Sequence, residues 1–87
     1  MAKLELQNVE TGEKITDVEI DTARVWQEDE AYFVDKFRAA GINAYDAFID
    51  IRGGNSEQRL LVIDVYDVQG NYMDVELRGW ISNGFAE

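Results

Sequence analysis

The chain has no cysteine, no histidine and no proline, and its 8 Lys and Arg are outnumbered by 18 Asp and Glu. Without cysteine there is neither a disulfide framework nor a thiolate metal site, and without histidine the commonest metal ligand and general base is missing as well. Stability must therefore come from packing. Apolar runs are short, LLVI at residues 60–63 being as long as any, whereas a membrane span needs roughly 18 apolar residues. The opening MAKLELQNVE contains no apolar segment of the kind that directs secretion. A cytoplasmic protein without a membrane partner is the expectation.

What is present is a foldable chain. Hydrophobic residues make up 46% of the 87 positions and include two Trp, four Tyr and four Phe, too many for a disordered segment. A chain of this size buries only about 60% of its surface on folding, so one small domain, residues 1–87, is expected. The formal net charge of -10 repels nucleic acid and anionic lipid and attracts cationic surfaces. The same charge also keeps a small domain soluble, which needs no partner at all.

Residues 4–21 show two alternating runs around ETGE, with Gly12 suited to a tight turn, and predict a β-hairpin. Period-2 alternation sets Leu4 and Leu6, then Thr16, Val18 and Ile20, on one face; Glu5, Asp17, Glu19 and Asp21 fall on the other. A helix follows, with Trp26, Phe33, Phe37 and Ala40 at helical spacing, acids early, bases late, and Gly41 at its C-terminal end. Asp21 or Thr22 would cap a long version and Glu28 or Asp29 would start a short one; the long version is the expectation. YDAFIDIRG, residues 60–68 and residues 72–77 then read as three strands, the last two forming a second hairpin across VQGNY, with Asp67 close to its turn. GWISNGFAE either extends the last strand or folds over the sheet. The sum is a small α+β domain of order ββαβββ, a mainly antiparallel sheet with one helix on one face.

Several chemistries fail on the residues. An EF-hand with Gly70 at its sixth position would need Asp at the first, where Val65 stands. A looser oxygen cluster from Asp64, Asp67, Asn71 and Asp74 would have its members on opposite strand faces. No metal or cofactor is expected. Gly53 and Gly54 are followed by neither a P-loop lysine nor a GxGxxG, and Ser56 and Ser82 lack a base partner. A carboxylate pair doing acid–base work needs a cleft that a chain this small hardly encloses. The chain is expected not to be an enzyme. Its basic residues are scattered among acids, so direct nucleic-acid binding is not expected either.

The acids themselves form a pattern. Carboxylates two residues apart on a strand are spaced about 6.6 Å, and adjacent strands add rows about 4.8 Å away; such an array imitates a phosphate backbone. The sheet face opposite the helix is expected to carry Asp46, Asp50, Asp64, Tyr66, Asp74 and Glu76, joined by Phe48 and Trp80 through two-residue steps. Phe48 and Trp80 are the candidate hot spots; for Tyr45, Tyr66, Tyr72 and Phe85, packing within the fold is the stronger expectation. Arg52 and Arg78 share the stripe and argue against a uniformly negative face; cross-strand ion pairs with Asp64 or Asp74 are the structural alternative.

In size, charge and lack of catalytic groups the chain is similar to small phage-encoded inhibitors of bacterial defence, such as anti-CRISPR and antirestriction proteins and inhibitors of uracil-DNA glycosylase. The similarity is one of bulk properties and transfers no residue. It implies a stoichiometric inhibitor of a basic, nucleic-acid-binding protein, a DNA mimic acting by protein–protein interaction. An immunity protein for a basic toxin would look the same. A structural module forming a homodimer, through edge strands that no proline blunts or through the C-terminal aromatics, is the further alternative.

Overall fold

The computed structural model describes residues 2–82. The N-terminal alternating segments form β1 (Ala2–Asn8) and β2 (Lys14–Ile20), an antiparallel hairpin whose turn uses Gly12 at φ +75°. Asn8 organises that turn: its carbonyl accepts from Gly12 N at 2.8 Å and its side-chain oxygen from Glu10 N at 2.9 Å. Towards the other terminus β3 (Asp46–Gly54), β4 (Gln58–Tyr66) and β5 (Tyr72–Ser82) run as an antiparallel meander. The Asp67 carboxylate accepts from Gln69 N and Asn71 N at 2.9 Å and closes the β4–β5 turn, where Gly70 has φ +83°. Residues 79–82 of the tail extend β5; Phe85 lies outside the described residues.

The first strand meets the last. β1 pairs antiparallel with β5, which joins the hairpin to the meander in one five-stranded sheet of order β2-β1-β5-β4-β3. Alternation sends Leu4, Leu6, Leu61, Ile63, Val65 and Leu77 to one face, where each is at most 1% exposed. Phe33, Val34 and Phe37 of α2 (Glu30–Ala39) pack on that face, with the helix lying over β3 and β4. Gly79 permits β5 to pass close to β1: a Cβ there would stand 2.7 Å from Leu4 Cδ2.

The long helix is not formed. A single turn, α1 (Ala23–Trp26), ends at Gln27, Glu28 takes φ +54°, and α2 starts afresh at Glu30. Asp29 supplies the reason. Its carboxylate accepts from Tyr32 N at 3.3 Å as a helix cap and holds Arg24 Nη1 at 3.1 Å, so local hydrogen bonding at Asp29 displaces helix continuation. Trp26 is consequently not on the α2 stripe and is 40% exposed. The C-terminal end follows expectation, with Gly41 at φ +91° and Ile42 N donating to Phe37 O at 3.0 Å, a Schellman closure.

Candidate functional site

The face away from α2 is built by strand register. Asp46 stands opposite Tyr66, Phe48 opposite Asp64, Asp64 opposite Glu76, Tyr66 opposite Tyr72, and Leu60 opposite Trp80. Asp50 and Arg78 both oppose Val62 from its two sides, and Glu5 of β1 opposes both Arg78 and Asp17. Seven of the eight residues singled out on the sequence therefore share this face: Asp46, Phe48, Asp50, Asp64, Tyr66, Glu76 and Trp80.

Asp74 is the exception. It sits where the β4–β5 register shifts, has no opposite residue in the register among the described residues, and takes φ +58° while its carbonyl accepts from Val9 N at 2.9 Å. The irregularity takes it out of the alternation that builds the face, yet its charge still acts on Tyr72.

The arginines temper the acidity. Arg52 Nε donates to Asp50 Oδ2 at 2.9 Å and Arg78 Nη1 stands 3.5 Å from Glu76 Oε1. Both pairs run along a strand rather than across strands. The hydrogen bond that Arg52 donates to Asp50 raises its guanidinium pKa above the ordinary value, with burial opposing and the charges of Asp50, Asp64 and Glu76 adding. Asp46 and Asp64 have no cationic partner among the described residues. Asp46 accepts from Ala47 N at 2.9 Å, and Asp64 meets the Tyr72 hydroxyl at a long 3.5 Å.

Between these groups lies a shallow concavity of about 590 Å³, where Tyr66 and Tyr72 stack obliquely with ring centroids 5.8 Å apart above Asp64, Glu76, Arg52 and Arg78. The Tyr72 hydroxyl is pushed up to about 12, first by burial, then by the charges of Asp64, Glu76 and Asp74. Phenol and carboxylates are thus one electrostatic unit. Among the described residues no group of three Asp or Glu is placed to hold a metal ion, and no described helix is long and apolar enough to cross a membrane.

An apolar floor was not anticipated. Val62 is fully buried although it lies on the face away from the helix and outside the main core cluster. Its neighbour Arg78 has an aliphatic stem long enough to lie across a valine. With half-buried Leu60 beside Trp80, which is 54% exposed, the face has an apolar centre within its acidic frame. The signal was legible: LLVI is apolar on both sides of its strand, as a strand covered on both faces should be.

Comparison with protein-family models, curated proteins and solved structures finds no match to this chain.

Proposed function

We propose that the protein is a stoichiometric, non-enzymatic binder of a basic, nucleic-acid-handling protein, and that its open sheet face occupies the partner's cationic groove and excludes nucleic acid. The observation that carries this reading is the register, which sets Asp46, Asp50, Asp64 and Glu76 with Glu5 and Asp17 on one face. DNA presents one charge per roughly 1.7 Å of axis, and proteins answer it with rows of Lys and Arg. A grid of carboxylates spaced by strand geometry offers those rows an alternative. Charge would steer the encounter, while exposed Phe48 and Trp80 would add affinity that salt does not remove. Arg52 and Arg78 fit this role as spacers that hold Asp50 and Glu76 in fixed positions. On the similarity in size, charge and lack of catalytic groups, the setting we propose is inhibition of a bacterial defence enzyme by a phage protein.

The test is affinity capture from a bacterial lysate, with and without nuclease, followed by binding measurements on the captured protein. A nucleic-acid-handling protein should be held regardless of nuclease and released at high salt. Replacing Asp46, Asp50, Asp64, Asp74 and Glu76 together by Asn or Gln should then abolish capture. Unchanged affinity of that variant for the captured protein would refute the face as the binding surface, and recovery of the protein's own oligomer alone would refute the function.

A further inference from the structure

A second surface lies along the outer edge of β3. Among the described residues β3 pairs only with β4, and its register is regular from Asp46 to Arg52, with an irregularity only beyond. Such an edge offers a row of backbone donors and acceptors, which natural proteins usually blunt with proline, lysine or a bulge. None of these interrupts Asp46 to Arg52, and within that stretch Ala47 N donates to the Asp46 carboxylate, which leaves the part of the edge beyond Ala47 for pairing. Its two charges near the middle, Asp50 and Arg52, neutralise each other along the strand.

Beside the edge runs a groove of about 420 Å³ between β3 and the segment from α1 to the start of α2. Its apolar lining includes Trp26, Phe48 and Ile51, which are 40%, 56% and 38% exposed. Its only charged lining residues are Glu28 and Glu30. The break at Asp29 creates this arrangement: it takes Trp26 off the α2 stripe and leaves both glutamates on the rim.

We propose that β3 and this groove take up an extended segment of a partner protein, added to the sheet as a sixth strand, in which every second residue is either apolar or Lys or Arg, so that both kinds turn to the helix side of the sheet. Backbone pairing supplies attachment, and of the side chains on that side the apolar ones enter the groove beside Trp26 and Ile51 while the basic ones meet Glu28 and Glu30. Charge decides against a second copy of this chain as the occupant. A second copy would bring a further net charge of -10 and its own Glu28 and Glu30 to the same edge. The other edge, β2, lacks the one-signed rim, since its groove includes Lys36 beside Asp17 and Glu19. The groove shares Phe48 with the open face, but the inference does not depend on what that face binds.

The test uses the full chain and three synthetic peptides: a Lys–Val peptide with Val and then Lys at every second position and Ser between them, the same peptide N-methylated at alternate amides, and a Lys–Ser peptide in which each Val is replaced by Ser. In amide NMR spectra the Lys–Val peptide should shift β3 signals and the Trp26 indole. N-methylation should weaken binding at least about tenfold, since each lost backbone hydrogen bond contributes about 1 kcal/mol and about 1.4 kcal/mol is tenfold in affinity. Ile51→Lys should weaken it similarly; Glu28→Gln with Glu30→Gln, both on the surface and safe for folding, should weaken it and flatten its salt dependence. Absence of binding would overturn the proposal. So would equal binding of the Lys–Ser peptide with shifts spread over the acidic face, or concentration-dependent β3 shifts without peptide, which would assign the edge to a second copy.

Discussion

The phenol of Tyr72 reports on the electrostatics of the open face one residue at a time. Its folded value of about 12 exceeds the ordinary one of 10, so the folded state holds this proton more tightly than the unfolded chain does. The associated stability is complete below pH 10 and is lost as pH rises through 12. Asp64→Asn should lower the Tyr72 value yet leave it above 10, because burial ranks ahead of the carboxylates among its causes. Ultraviolet titration of phenolate, with Tyr72→Phe as the difference control, measures this. An Asp64→Asn protein whose Tyr72 titrates as before would mean that the carboxylate is not felt across the strands.

Among the elements, the interrupted helix is the informative one. Glu28 holds a left-handed conformation that costs an L-residue about 1–2 kcal/mol and glycine much less. Glu28→Gly should therefore leave the melting midpoint unchanged or raise it, and Asp29→Ala should destabilise by about 1 kcal/mol through loss of the cap. Urea unfolding of the two variants decides the matter. A marked loss with Glu28→Gly would show that the glutamate side chain contributes more than its backbone costs. The sequence offered both versions of this helix, and helical spacing favoured the long one because Trp26 falls seven residues before Phe33. Spacing cannot weigh a capping carboxylate that also binds Arg24, since that pair forms only once the chain has turned.

For the molecule as a whole, charge imbalance outweighs pairing. Eighteen acids face eight bases, and the five ion pairs among the described residues lie at or near the surface, where each contributes about 0–1 kcal/mol. Self-repulsion should dominate. Raising ionic strength from about 0.01 M to 0.1 M shortens the screening length from about 30 Å to 10 Å, across a body measuring 36 × 26 × 19 Å. The thermal midpoint should rise over that range. A fall would mean that the local pairs, Arg52–Asp50 and Arg24–Asp29 foremost, matter more than the net charge.

By itself the sequence determined whatever depends on neighbours along the chain. Alternation assigned Ala47, Ile49 and Ile51 to one side of β3 and Asp46, Phe48 and Asp50 to the other, and turn chemistry placed Gly12 and Gly41 where positive φ was needed and a second turn at VQGNY. Because a strand has only two sides, most of the candidate face followed from parity alone. The tertiary structure decided what depends on partners distant in sequence: that β1 lies beside β5, that Val62 forms a buried floor beneath charged neighbours, and that Asp74 falls in an irregularity of the ladder. It also decided that Trp26 stands beside β3. Parity says which side a residue faces, but only the strand order says which strand remains an edge and what lies next to it.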